Sequence, residues 1–172
     1  MSWVIILLLL VFSLSSTPTI NAASEYVLPY PSFMPGSMFY KVNLIKDEIL
    51  KYWYFGSFGQ FKYNLKQTDK YLVEAKTLFE YKQYLFGVNA LKKSDTYFIK
   101  IKPSLLKAKS EGKDINQSLL ILRDAKDKHI ETLERVSKEV PEAFVWEPEK
   151  EKPTNLNLHE IINESIHIRT NE

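Results

Sequence analysis

The chain has 172 residues, of which 45% are hydrophobic and 26% are charged, a balance typical of a folded globular protein. It contains no cysteine, which excludes disulfides, thiolate catalysis, cysteine metal sites and lipid anchoring through cysteine. Only 5 glycines and 8 prolines are present, and most prolines lie near the two ends. This composition favours a helical protein.

The formal net charge of +2 is unevenly distributed. Residues 23–140 carry 20 basic and 14 acidic side chains, a balance of +6, whereas 141–172 carry 3 basic and 7 acidic ones, a balance of −4. A basic body with an acidic tail is able to self-associate or to bind an anionic surface. A solvated charged face is the simpler interpretation.

The first 22 residues are typical of an export signal, which we predict for residues 1–22. The apolar run Val4 to Leu14 has the length of a signal h-region and is short for a bilayer span. Ile20-Asn21-Ala22 offers a cleavage site after Ala22, but a basic n-region is missing, so an uncleaved membrane anchor is the alternative. In both cases we predict an exported protein that is extracytoplasmic, secreted or associated with the cell envelope.

A proline-rich strap, residues 23–36, follows the signal. Pro29, Pro31 and Pro35 favour extended backbone and exclude helix in this segment. Ser37 is well placed to cap the helix that begins at the next residue.

The first predicted helix, Met38 to about Phe55, has apolar side chains at spacings of three and four. This stripe consists of Met38, Val42, Ile45, Ile49 and Trp53. The other side carries Lys41, Lys46, Asp47 and Lys51. Because burial of apolar side chains is the main stabilising term, we expect the stripe to pack against the other helices.

The strap and the first helix resemble the opening of an uncharacterised bacterial family of exported helical domains, a domain of unknown function with a Leu-Pro-Tyr-Pro lead-in. The similar strings are Leu28-Pro29-Tyr30-Pro31, Met34-Pro35-Gly36-Ser37, Phe39-Tyr40-Lys41, Leu72-Val73-Glu74-Ala75 and, more loosely, Glu111-Gly112-Lys113-Asp114 to His129 and Leu133. The sequence departs from the pattern at Met34, Met38, Val42 and the aromatic run 52–55. The resemblance implies a fold and a compartment for residues 28–140, and no activity.

Three further helices are predicted before residue 140. The turn Gly56-Ser57-Phe58-Gly59 precedes a helix that ends at about Glu80. The resemblance implies a turn at residues 81–83, whereas periodicity alone allows this helix to continue. A third run, 84–109, contains Pro103, which predicts a kink or a break at 100–103.

The last helix, 115–138, is predicted to be capped by Asp114 after a glycine-containing turn. The positions predicted to face the core of these helices are Phe61, Leu65, Thr68, Leu72, Ala75, Phe79, Leu85, Val88, Leu91, Phe98, Ile101, Leu105, Ala108, Ile115, Leu119, Leu122, His129, Leu133, Val136 and Val140.

Pro141 ends the last helix, and the charged, proline-bounded segment 147–153 has the composition of a linker. The apolar patch Ile161 to Ile168 is modest, so we predict a flexible acidic tail over residues 141–172. The predicted fold is therefore all-α: an antiparallel up-down bundle of about four helices at 37–140, preceded by signal and strap and followed by the tail.

Two segments suggest metal chemistry. His129 lies on an apolar stripe. It is a candidate metal ligand or pH-sensitive group, and the simpler alternative is a core-edge histidine satisfied by a carbonyl or carboxylate. His159 and Glu160 begin a His-Glu-x-x-His pattern, but Asn163 stands at its last position. Because neither segment supplies a full ligand set, we predict no metal and no cofactor.

The chain also lacks the motifs of common enzymes. It has no Gly-x-Ser-x-Gly elbow and no phosphate-binding glycine loop, and Asp124 and Asp127 lie among lysines, as on a solvated face. We therefore predict that the protein is not an enzyme, and we expect no nucleic-acid partner.

The run Tyr52-Trp53-Tyr54-Phe55 is more aromatic than one core-facing stripe can bury. Either the turn at Gly56 folds these side chains into the bundle end, or they contact a protein, a glycan or a membrane interface. The candidate interaction surface is Trp53, Tyr54, Phe55 and His129.

These observations favour a non-catalytic extracytoplasmic interaction or structural module. The expected partner is an unidentified envelope or cell-surface protein, and membrane contact is expected only through an uncleaved signal segment. An envelope sensor of a ligand or metal is the alternative, and a hydrolase is the least favoured function.

Overall fold

The structure is a computed structural model that describes residues 25–31, 35, 37–150 and 152–171. The predicted signal, 1–22, and part of the strap lie outside these residues. The described ranges contain six helices and two strands: α1 (Met38–Trp53), α2 (Gly56–Glu80), α3 (Tyr84–Phe98), α4 (Ile101–Ser110), α5 (Asn116–Glu139), β1 (Ala143–Trp146), β2 (Thr154–Asn157) and α6 (Leu158–Asn171). None of these helices is long and apolar enough to cross a membrane.

The protein is a helical bundle built around α2. This helix packs against α3, α4 and α5, and its buried side chains occur on nearly all of its sides. They include polar groups such as Gln67, Thr68 and Asp69 as well as the predicted apolar stripe. The central helix is therefore almost fully enclosed, which a single hydrophobic stripe does not predict.

The predicted breaks between helices are confirmed. The turn after α2 contains Lys82 at φ 58°, and α3 ends before Ile99, just ahead of the predicted break. Pro103 then lies in the first turn of α4, where a missing backbone N–H costs little. The cap position of α5 is Ile115 and not the predicted Asp114, although Asp114 Oδ1 accepts a hydrogen bond of 3.0 Å from the N–H of Asn116, the first residue of the helix.

Two apolar clusters hold the bundle together. The larger joins the C-terminal half of α2 to α3, α5, β2 and α6, and the smaller joins the N-terminal half of α2 to α4 and α5. All but two of the core positions predicted for the helices after α1 are buried. Leu85 is half-buried against the larger cluster and Leu119 is exposed.

The C-terminal region differs from the predicted flexible tail. β1 and β2 form an antiparallel hairpin with Phe144 opposite Leu156, and α6 packs against α3 and α5. Leu158 and Ile162 are fully buried in the larger apolar cluster. The tail prediction failed because it judged the few apolar residues of this region by composition. Leu156 of β2 points into the core, and the spacing of the apolar residues along α6 places Leu158 and Ile162 on one buried side.

The orientation of α1 also differs from the prediction. The apolar stripe that was expected to pack inward is exposed, and Asp47 is the buried residue of this helix. The reason lies in the surface of α2 that α1 covers.

Candidate functional site

The most unusual surface of the molecule is the solvent-facing side of α1. We define the α1 apolar face as Met38, Val42, Ile45, Ile49, Tyr52 and Trp53. These side chains are between 57% and 82% exposed, and Phe39 and Phe55 extend the apolar area at 60% and 82%. Single exposed apolar side chains are ordinary, whereas a contiguous row along a whole helix is a candidate interaction site.

Polar contacts hold the opposite side of α1 on α2. Lys70 forms an ion pair with the Asp47 carboxylate, and both side chains are largely buried. The Tyr63 hydroxyl donates to the Asp47 carbonyl at 3.3 Å. Nearer the N-terminal end of α1, the Tyr40 hydroxyl donates to Glu74 Oε1 at 3.1 Å.

These contacts explain the unexpected orientation of α1. The apolar sides of α2 are already covered by α3, α4 and α5, so the side left for α1 carries Tyr63, Lys70 and Glu74. Buried polar and charged groups need partners, which the polar side of α1 provides and its apolar side does not. The helix therefore turns its apolar face to the outside.

The buried polar contacts beneath α1 have shifted acidities. Burial raises the pKa of Glu74, and the hydrogen bond from Tyr40 opposes this shift only in part. Burial and the neighbouring Glu74 carboxylate raise the pKa of Tyr40 to about 12. The Tyr40 hydroxyl therefore stays protonated and able to donate at neutral pH.

The aromatic run at the end of α1 is divided between the core side and the surface. Tyr54 turns inward, with its ring 5.6 Å from that of Tyr63, which in turn lies 5.9 Å from the Tyr97 ring. Trp53 and Phe55 point outward, at 75% and 82% exposure. The turn at Gly56 thus folds one part of this run against the bundle end, while Trp53 and Phe55 remain at the surface.

Gly59 sets the tightness of the turn into α2. A Cβ atom at this position would lie 2.7 Å from the Tyr54 carbonyl carbon, a distance that only a glycine avoids. The close approach brings the end of α1 against the first turn of α2, where the Gln60 side chain donates to the Tyr54 carbonyl at 2.8 Å.

His129 lies at the centre of the bundle, with no exposed surface. Its Nε2 is 2.7 Å from Asp69 Oδ1, and the Tyr26 hydroxyl of the strap donates to Asp69 Oδ2 at 2.6 Å. Because the carboxylate can only accept from both groups, we assign the imidazole proton to Nε2. Burial lowers the pKa of His129, and the bond to Asp69 opposes this shift.

The structure therefore does not bring His129 together with Trp53, Tyr54 and Phe55. It places the histidine in the core, where a carboxylate satisfies Nε2 and Nδ1 has no partner among the described residues. This arrangement is nearest to the carboxylate-bonded histidine among the interpretations that the sequence left open. The chain Tyr26–Asp69–His129 also connects the strap to α2 and α5, which explains how a segment without helix is held on the bundle.

A second buried network, which was not predicted from the sequence, attaches α6 to the bundle. Arg169 is fully buried and donates from Nη1 to Asp95 Oδ1 at 2.6 Å and from Nη2 to the Ser94 hydroxyl at 2.9 Å. The Ser165 hydroxyl donates to the same Asp95 oxygen at 2.7 Å. The available signal was the spacing of Leu158, Ile162, Ser165 and Arg169 along one side of α6, which places the arginine on the buried side.

A cavity of about 670 Å³ lies between the strap, α2 and the start of α5. Its walls are mainly apolar, with Val27, Phe61, Leu65 and Ile121 among the lining residues. The charged lining residues are Lys62, Lys66, Asp69 and Asp114, two basic and two acidic. Such walls suit a mainly apolar ligand.

Within the described residues, no group of three or more histidine, aspartate or glutamate side chains is arranged to hold a metal ion. His159 lies at the start of α6, where its Nε2 is 3.2 Å from the Val140 carbonyl oxygen. The neighbouring Glu160 carboxylate accepts from the Asn157 side chain at 2.8 Å. Both groups of the incomplete motif are thus engaged at the junction of β2 and α6.

Comparisons with protein family models, with curated proteins and with solved structures found no match.

Proposed function

We propose that the protein is an extracytoplasmic, non-catalytic helical module that binds a component of the cell envelope through the α1 apolar face. The exposed row of apolar side chains on α1 carries this proposal, because burial of a large apolar side chain is worth about 1.5 to 3 kcal/mol. Export is inferred from the apolar run and cleavage site within residues 1–22. The resemblance of the lead-in to exported helical domains agrees with this compartment.

The buried polar groups support a role without catalysis. His129, Asp69 and Arg169 are shielded from solvent and bonded within the core, where they join the strap, α5 and α6 to the bundle. A catalytic group must reach its substrate, whereas these groups are used for internal contacts.

Site-specific crosslinking tests the proposal. A photoreactive residue in place of Ile45 should crosslink the protein to an envelope component in intact source cells, and the same residue in place of Leu106 should not. Both positions are exposed, at 63% and 57%, so the comparison holds accessibility nearly constant. Equal crosslinking from the two positions would contradict a specific role for α1.

A ligand-responsive envelope sensor is the second candidate, and the cavity beside the strap favours it. Because Tyr26 of the strap contacts Asp69 next to this cavity, a bound ligand would be able to alter the strap. Thermal unfolding in the presence of fatty acids of different chain length tests this function. A melting temperature that no fatty acid raises would contradict it.

A further inference from the structure

We infer that the occupant of the α1 apolar face is an anionic lipid bilayer, on which α1 lies parallel to the surface. This inference rests on the proposed function and names the partner of the same face. It differs from the expectation that membrane contact is limited to an uncleaved signal segment.

The shape of α1 matches a helix that lies in a membrane interface. It is 16 residues long, which corresponds to about 24 Å, and none of the described helices can span a bilayer. Helices of this kind carry large apolar and aromatic side chains on one side and basic side chains along its edges. Tyr52 and Trp53 at the C-terminal end are the residue types enriched at membrane interfaces.

The charges on α1 favour an anionic surface. Lys41 and Lys46 border the apolar face on its two sides, while Asp47 is turned inward and neutralised by Lys70. Glu48 is 3.7 Å from Lys51, so it is balanced within the helix. The exposed charge of α1 is thus positive, and each lysine near an anionic membrane strengthens binding about fivefold.

The same charges argue against a second copy of the chain as the occupant. Lys46 lies at the middle of α1, so an antiparallel, two-fold pairing of two α1 helices would place the two Lys46 side chains next to each other. Like charges on neighbouring helices repel, and this repulsion would act at the centre of the interface. A bilayer with anionic headgroups imposes no such repulsion.

Fluorescence of Trp53 tests the inference in the full-length chain. The substitutions Trp3→Phe and Trp146→Phe leave Trp53 as the single tryptophan, so the signal reports on α1 and not on the N-terminal segment. With phosphatidylglycerol vesicles we expect a blue-shifted emission and quenching by brominated acyl chains. With phosphatidylcholine vesicles we expect neither.

Matched variants keep the test independent of folding. Ile45→Glu with Ile49→Glu should abolish the shift, whereas Leu106→Glu with Leu120→Glu, at equally exposed sites of α4 and α5, should keep it. Removal of Lys41 or Lys46 by substitution with serine should weaken binding about fivefold per lysine. Circular dichroism of each variant shows whether the helical fold is retained.

The outcomes separate this inference from the proposed function. An unchanged Trp53 emission with both vesicles, or an equal response to both, would overturn the assignment of an anionic bilayer. If sedimentation then shows self-association that Ile45→Glu abolishes, or if the Ile45 position crosslinks to an envelope protein, the face remains an interaction site with a different occupant. If neither occurs, the proposed function fails as well.

Discussion

Replacement of Arg169 by methionine should destabilise the whole bundle, although the residue lies three positions from the C-terminus. The Arg169 side chain is fully buried and its partner Asp95 is 16% exposed, so the variant leaves a carboxylate without its cation. Removal of one partner from a buried pair costs about 3 to 5 kcal/mol. Because Asp95 keeps the bond from Ser165 and some access to water, we expect about 3 kcal/mol.

Urea unfolding followed by circular dichroism measures this loss, and the melting temperature should fall by about 6 to 12 °C for a domain of this size. Arg123→Met is the matched control, because Arg123 is paired with Asp124 at the surface with 66% of its side chain exposed. That change should cost less than about 1 kcal/mol. Equal effects of the two substitutions would refute the argument that α6 is part of the folded core.

Three further predictions concern the core. As the pH is lowered from about 7.5 to about 5.5, the free energy of unfolding should decrease with a slope of up to about 1.4 kcal/mol per pH unit. The reason is that burial lowers the pKa of His129 in the folded state, so the unfolded state binds the proton at a higher pH. The slope should decrease in His129→Asn. Gly87→Ala should lower stability by about 1 to 3 kcal/mol in urea unfolding, because the new Cβ would lie 2.8 Å from the buried Phe79 ring. Glu74→Gln should raise stability at neutral pH, since burial raises the pKa of this carboxyl, and the gain should vanish in acid melts below about pH 4.5.

Each of these predictions has a result that contradicts it. An identical pH slope in wild type and His129→Asn would show that the histidine is not held neutral in the core. A more stable Gly87→Ala would mean that helix propensity outweighs the contact with Phe79, and Gly87→Ala with Phe79→Leu separates the two effects because the smaller side chain relieves the contact. A destabilised Glu74→Gln at neutral pH would show that the ionised form is favoured by its neighbours.

The positions of the helices were largely predictable from the sequence. Prolines, glycines and the periodic apolar residues act through local backbone geometry, so the break before Pro103 and the start of α5 within two residues of Asp114 could be predicted directly. For the buried His129–Asp69 contact, the sequence indicated the type of partner, a carbonyl or carboxylate, but not the residue that provides it. Its two residues are 60 positions apart, and no local pattern specifies which carboxylate meets the ring.

The sequence could not predict which way the α1 apolar face points. The row of apolar residues on α1 was evident, but an apolar stripe indicates only that one side of a helix avoids water. It does not state what covers that side. The choice depended on Lys70 and Glu74 of α2, which demanded polar partners and turned Asp47 and Tyr40 inward.

The sequence by itself therefore determined which segments between residues 37 and 140 are helical and about where they end, since these properties depend on residues close together in the chain. Its composition alone determined that no thiol chemistry is available. The tertiary structure alone decided that α1 shows its apolar face to the outside and that 141–172 contributes a helix to the core. Both outcomes depend on partners distant in sequence, because the free energy of burying a charge or an apolar side chain is set by what surrounds it.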